Sequence, residues 1–521
     1  METLLEIARI VTDKAYSRKS IDAMISDDAE GVLSAFLRGL IDGAYTNDDD
    51  AASALYQSDR SDARYRTLKS RALDRLLQTL LLLEIRKPNH PDYVVYYHRC
   101  ARNLIAVRTL MTFGSMSVGM RIAEKTLVIA KKYQFTEFTL NLLTLLRESY
   151  AKIVDKRRFL ESNQEIAYYL HLLEAELGSE ELLDTLQLES CQNKFTHEQL
   201  LVLSKELYSQ HLEIVDQFDS FKIRLNHYRF TVIHNALRGN LEAVRICCDE
   251  ARAYLSGNNH LSQRSRVGEF GLLKLQACVN NRQSHLILDE IEEILECFTV
   301  GGTNWFLTLE FGIQAFIQCG DYQRAYALWC TGQRSGALSR SNPRVQEMWY
   351  ILEAYFNLFL TIHGLEHELV VGRIDDVNTF TATAPELSKD QAGYSVHVLI
   401  TQISLLIVGG AFDTAIKRME YLRLYMSQYL KTPKDSPIRW FVARFSELAK
   451  AKFDIGRLTH SNWRYEPLQR SDAPAPEGFH EIVPLDALFD TILAHLQRNH
   501  HNNTSLNTIS APRTSVNKEQ M

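Results

Sequence analysis

From Asp92 to about Lys452 the chain sets apolar residues three and four apart, with little of the strict alternation that a strand requires. Residues at that spacing share one face of a helix, so this stretch is confined to an all-α fold. A short motif recurs within it. Gly320-Asp321-Tyr322-Gln323-Arg324-Ala325 sets a glycine, a large apolar residue two positions on, and a small residue three beyond that. Gly239-Asn240-Leu241-Glu242-Ala243-Val244 and Gly410-Ala411-Phe412-Asp413-Thr414-Ala415 follow the same plan. Glycine permits the sharp exit from one helix, the apolar residue wedges the next helix against it, and the small residue lets the two approach closely. Gly320 and Tyr322 are therefore expected to be a turn residue and a buried wedge.

Gly239 and Gly320 lie 81 residues apart, and Gly320 and Gly410 lie 90 apart. Further turns near Gly114, Asp155, Asn280 and Gly364 divide these intervals into units of roughly 40 to 45 residues, the length of a two-helix solenoid repeat. A single core seldom serves 521 residues, and an elongated array of such pairs resolves that difficulty. The expected architecture is an α-solenoid of helix pairs over residues 91–460, about eight of them, preceded by an N-terminal helical domain, 1–90. There Thr46-Asn47 and Ser58-Asp59 are expected to cap a short helix through Tyr56 and a long one reaching about Ile85. An irregular segment around Trp463, with Pro467, Pro474, Pro476 and Gly478, leads to a capping helix from about Pro484 to Gln497. Residues 461–498 thus close the array, and 499–521 read as a disordered polar tail.

Two stretches carry a family resemblance. Thr46 to Glu84, TNDDDAASALYQSDRSDARYRTLKSRALDRLLQTLLLLE, resembles the N-terminal portion of an uncharacterised family of TPR-like all-helical proteins of Bacteroidota bacteria. Pro385 to Ile492, through PELSKDQAGYSVHVLITQISLLIVGGAFDTAIKRMEYL and EIVPLDALFDTIL, resembles its C-terminal part. The resemblance implies a tetratricopeptide-like helical fold and a bacterial source, and it implies no activity.

Charge and hydropathy exclude several classes. A net charge of −6 over this length favours neither nucleic acid nor an acidic membrane as a whole-protein partner. The most apolar run, Val396 to Val408, is interrupted by His397, Thr401, Gln402 and Ser404 and is too short to span a bilayer, so it is expected to be a buried helix. Eight cysteines without a CxxC pair, Cys247 and Cys248 among them, and an acidic amino terminus unlike an export signal point to buried thiols and a cytoplasmic protein.

Three constellations are candidates for chemistry. His363-Gly364-Leu365-Glu366-His367 fits the H-x-x-E-H pattern of inverted zinc proteases, with His363 and His367 as ligands and Glu366 as base. Gly364 at a predicted turn breaks the helical register such a site needs, and the motif reads as loop. His495, His500 and His501 cluster near the tail and read as solvated. Along the helix expected from Ser58, Arg60, Arg64, Arg71 and Arg75 fall within about 60° of arc. Tyr65, Ala72, Leu76, Leu80 and Leu83 form a separate apolar face. The arginines are the candidate partner-binding residues. They suit phosphates or an acidic protein, and a helix-turn-helix entering DNA is the variant of that idea. Asp48, Asp49, Asp50 and Asp74 offer the alternative of internal pairing. Trp349, Leu352, Phe356 and Phe359 make an aromatic-aliphatic stripe, a groove lining or, more simply, core.

No phosphate loop, nucleophile elbow or dinucleotide fingerprint occurs. The expected function is non-enzymatic: a scaffold binding a protein or peptide on its concave surface, without catalytic residues, cofactor, metal or membrane. The alternative is a nucleic-acid-binding regulator using residues 58–85, and more remotely a zinc-dependent hydrolase through His363, Glu366 and His367.

Overall fold

A computed structural model describes residues 1–14, 31–82, 91–191, 196–363, 394–429, 437–455, 457 and 483–509. Every regular element among them is helical. The chain divides into two compact units, 1–99 and 100–521.

The first unit holds α1 (Glu2–Lys14), α2 (Val32–Ile41), α3 (Asp48–Tyr56) and α4 (Ala63–Leu82). Leu4, Phe36, Leu37, Leu40, Tyr65 and Leu68 meet in its core, with Phe36 edge-on to Tyr65 at 6.0 Å. Asn47 caps α3 by accepting from the backbone N–H groups of Asp49 and Asp50, as its sequence position suggests. The expected cap of α4 at Ser58-Asp59 is corrected. Gln57 leaves α3 in the left-handed conformation, and Asp59 turns back to accept from Ser61. The side-chain oxygen that receives an N–H of the first turn of α4 belongs to Asp62 (Arg64 N–H to Oδ1, 2.7 Å). The helix therefore starts at Ala63.

α5 (Asp92–Thr112) contains the division between the units. The second unit continues with α6 (Met116–Lys132), α7 (Thr136–Lys152), α8 (Lys156–Cys191), α9 (His197–Gln217), α10 (Phe221–Leu237), α11 (Leu241–Gly257) and α12 (Arg264–Asn280). Two 3-10 turns and the short α13 (Ile291–Glu296) lead to α14 (Thr303–Gln318), α15 (Tyr322–Arg334) and α16 (Pro343–His363). Then come α17 (Tyr394–Val408), α18 (Phe412–Tyr429), α19 (Pro437–Lys450) and α20 (Leu485–Ile509). Helices pack chiefly on their neighbours in sequence from α6 onward, and α20 returns to cover α16, α17 and α19. The capping helix runs further than Gln497, because no glycine or proline interrupts residues 498–509.

The repeated turn has one geometry. Gly320, at φ 77°, donates its N–H to Ile317 O (3.0 Å), while Asp321 donates to Phe316 O (2.9 Å). These two bonds satisfy carbonyls that the end of α14 leaves open. Asp321 then accepts from Arg324 N–H at 3.0 Å, so the residue that closes one helix also opens the next. The same closing pair recurs at Gly114, Gly239 and Gly410, and also at Gln134, Val154, Arg282 and Lys452. The turns expected at Asp155 and Asn280 thus centre on Val154 and Arg282.

Tyr322 is half-buried, not wholly enclosed. Its ring stacks on buried Phe359 at 5.0 Å with 22° between planes. Phe412 repeats this on Phe453 at 5.0 Å and 16°. Ala325 and Ala415 are fully buried beneath them, and Leu241 with Val244 fills the corresponding place at the start of α11. α17 is buried on every side, and its Thr401 and Ser404 hydroxyls donate to carbonyls of the preceding turn. No helix among the described residues is long and apolar enough to cross a membrane.

Candidate functional site

α9 and α10 face each other through polar side chains. Ser204, Tyr208 and His211 stand at i, i+4 and i+7 on α9, and His227, Thr231 and His234 stand likewise on α10. The helices run antiparallel, so the stripes meet rung by rung. Ser204 Oγ lies 2.7 Å from His234 Nδ1, and Tyr208 OH lies 3.1 Å from Thr231 Oγ1. The His211 and His227 rings stack at 5.6 Å, and Tyr208 stacks on His234 at 4.8 Å. α9 enters this face through a capping box between Thr196 and Gln199, and α10 through Ser220, which accepts from Ile223 N–H.

Ser204, His211 and His234 are buried while Tyr208, His227 and Thr231 are half-buried, and this sets the chemistry of the ladder. Burial pulls His211 down to about 4, with neighbouring His227 adding to the effect. His227 and His234 are lowered in the same way by burial, then by Arg224 and Arg238 respectively. His211 Nε2 and His227 Nδ1 have no hydrogen-bond partner, which neutral rings tolerate far better than charged ones. Ser204 and His234 have the contact of a nucleophile and its base, but Ser204 is wholly enclosed and no substrate reaches its hydroxyl. The arrangement is a polar seam that fixes helix register.

The seam also fixes α8. Asn226 donates to Ser179 Oγ at 3.1 Å, and Ser179 lies 3.4 Å from His211 Nδ1. One turn earlier, buried Glu176 accepts from Thr136 of α7 at 3.1 Å. Burial raises the Glu176 carboxyl, against hydrogen bonds from Ser220 and Thr136. With Leu172, Leu183 and Leu186, these residues form the inward face of α8.

The outward face carries leucines among its acids. Leu170, Leu177 and Leu188 are 54, 50 and 59% exposed. Nearby helices carry further uncovered side chains, with Phe113 after α5 at 82%, Val128 on α6 and Val202 on α9 both at 68%. Beyond α11, only Val300, Tyr421 and Leu424 are comparably exposed among the described residues. Most of the exposed large apolar side chains of the second unit thus lie on or beside α5–α9.

The residues singled out from sequence are placed as follows. Arg60 lies in the loop before α4 and uses its backbone N–H on Asp49, so of the four only Arg64, Arg71 and Arg75 stand on the helix. Arg64 is engaged by Asp62 (Nη2 to Oδ2, 2.7 Å) and lies 4.9 Å from the Tyr56 ring centre. Arg71 is exposed and Arg75 half-buried, while Tyr65, Ala72 and Leu76 face the core as expected. Trp349, Leu352, Phe356 and Phe359 are core residues, which removes the groove reading. Cys247, Cys248, Cys278 and Cys330 are buried thiols, and burial pushes Cys247 up to about 12. The expectation of buried thiols fails at Cys319, which is exposed beside the Gly320 turn, and at half-buried Cys297.

Gly364, Glu366 and His367 lie outside the described residues, as do the side chains of His363, His500 and His501. His495 is half-buried on α20, its ring lowered by that burial. No group of three or more metal-ligating side chains stands together among the described residues. The α9–α10 ladder was missed in the sequence, although its polar residues at i, i+4 and i+7 were visible on both helices. Comparison with protein-family models, curated proteins and solved structures returned no match.

Proposed function

We propose that the protein is a non-enzymatic scaffold, an α-solenoid of TPR-like helix pairs that binds a protein partner. The exposed large apolar side chains on and beside α5–α9, Phe113, Val128, Leu177, Leu188 and Val202 among them, carry this reading, since uncovered apolar surface marks interaction sites. Packing of helices on their sequence neighbours and repetition of one turn support the solenoid, whose curvature gives such arrays a concave binding face. Buried thiols outside any disulfide support a reducing cytoplasm. The resemblance of residues 46–84 and 385–492 to Bacteroidota proteins supports a bacterial source.

The test is a photo-crosslinking amino acid placed singly at Val128, Val202 and, as control, Tyr421, in cells of the source. Adducts of defined mass at Val128 or Val202, absent at Tyr421, are expected. Adducts at none of the three positions would remove the reading.

A further inference from the structure

On α8, Leu170, Glu174, Leu177, Glu181, Asp184 and Leu188 follow one another at intervals of four and three. At 100° per residue they fall within about 40° of one line. All six are exposed, on the side opposite Ser179, which faces the ladder. The line mixes three leucines with three carboxylates, and among the described residues no second helix lies on it.

The charge on this line selects its occupant. From Phe159 to Cys191 the helix carries eight carboxylates and no lysine or arginine, so the field beside the leucines has one sign. Some acids are already held: Glu161 by Arg157, Glu165 by Lys131, Glu180 by Lys222. Those on the line are not. Glu174 meets only the His171 ring at 3.8 Å, and Glu181 and Asp184 have no ion pair among the described residues. A second copy of α8 would set Glu174 against Asp184 if antiparallel, and each acid against itself if parallel, which costs affinity either way. Nucleic acid and anionic lipid are repelled by the same field.

We propose that the outward line of α8 docks a basic amphipathic helix of a partner protein. Its apolar stripe covers Leu170, Leu177 and Leu188, and its lysines or arginines pair with Glu174, Glu181 and Asp184. The assignment rests on the scaffold reading above and names where and what that scaffold binds. α8 suits the task because hydrogen bonds at Ser179 and Glu176 hold its inner face against α7 and α10, so the outward line is ordered before a partner arrives.

The probe is a fluorescent synthetic helix of about three heptads, with leucines on one line and lysines beside it, titrated against the full chain by anisotropy. Saturable binding is expected for this peptide and for neither its scrambled sequence nor a leucine–glutamate analogue. Leu177→Ser should weaken it about tenfold. The triple variant Glu174→Lys, Glu181→Lys, Asp184→Lys should lose the basic peptide and gain the acidic one. That reversal is something a merely misfolded protein does not show, and circular dichroism of each variant checks the fold.

Equal binding of the scrambled peptide, or unchanged binding by the triple variant, would overturn the proposal. So would concentration-dependent dimerisation that Leu177→Ser abolishes. Should the triple variant still give the Val128 or Val202 adduct in cells while binding no basic peptide, the scaffold reading stands and the α8 assignment falls.

Discussion

The indole N–H groups of Trp329 and Trp349 each donate to the other residue's backbone carbonyl, at 3.3 and 3.4 Å. The exchange joins α15 to α16 inside the core, where Phe306 meets Trp349 edge-on at 5.2 Å. Both indoles are buried, so each N–H would otherwise lack a partner. Such proximity needs a small neighbour: a Cβ at Gly332 would stand 2.5 Å from Trp349 Cζ2. Gly332→Ala should therefore force the indole aside and cost about 1–3 kcal/mol. Trp349→Phe should cost about 1–2 kcal/mol through lost volume and one lost bond. Urea denaturation followed by helical signal checks both. An unchanged midpoint for Gly332→Ala would show that the two helices are less closely joined.

Val154 and Gly320 occupy the same place in the same turn, at φ 57° and 77°. A β-branched residue pays steeply for that conformation, on the order of 1–2 kcal/mol. Val154 is 85% exposed, so its side chain contributes little packing in return. Val154→Gly should stabilise the chain by about 1 kcal/mol after the added freedom of the unfolded state is deducted. Gly320→Val should do the reverse, and purely through the backbone, because nothing lies within 4 Å of a Cβ there. Opposite shifts in melting temperature are the expected result.

The turns also show what could be read in advance. Gly114, Gly239, Gly320 and Gly410 announce the left-handed residue, and the helix pairs they join were legible from them and from the apolar spacing. At Val154 and Arg282 the neighbours Asp155 and Asn280 marked the turn to within two residues, whereas Gln134 and Lys452 make the identical pair of hydrogen bonds with no signal read in advance. Burial of the flanking helices against each other overrides the preference of the turn residue itself. The ladder escaped notice for a related reason. Ser204, Tyr208 and His211 at helical spacing ordinarily describe a solvated face, and only the pairing of α9 with α10 turns that face inward. Arg64 shows the limit from the other side: the stripe was visible, but its engagement by Asp62 depended on where α4 begins.

Tyr322 and Phe412 each open a helix and stack on an aromatic ring of a later element, Phe359 and Phe453. Truncating the wedge removes the stack and leaves a cavity above Ala325 or Ala415. Tyr322→Ala should lower stability by about 2–4 kcal/mol, and Phe412→Ala by a similar amount. Tyr322→Asp should be worse, since it sets a carboxylate against Phe359. Thermal melts of the three variants decide it, and a fully stable Tyr322→Asp would mean that the motif is a surface loop.

The ladder gives the stability a pH dependence of definite sign. His211, His227 and His234 are all held below the ordinary histidine value of 6.5, His211 at about 4. The unfolded chain therefore binds more protons than the folded one between those values. Stability is unaffected above about pH 6.5, falls as the pH drops through the window, and reaches its full loss below about 4. For His211 alone that loss is on the order of 3 kcal/mol, since the ring is wholly buried and the gap spans more than two decades of proton affinity. His211→Phe keeps a flat ring against Phe230, which His211 already stacks on at 5.2 Å, and has no proton to gain. Urea midpoints at pH 7 and pH 5 should differ less in this variant than in the parent chain. An equal difference would place the acid sensitivity elsewhere, in His227, His234 or the carboxylates, and not at the centre of the α9–α10 seam.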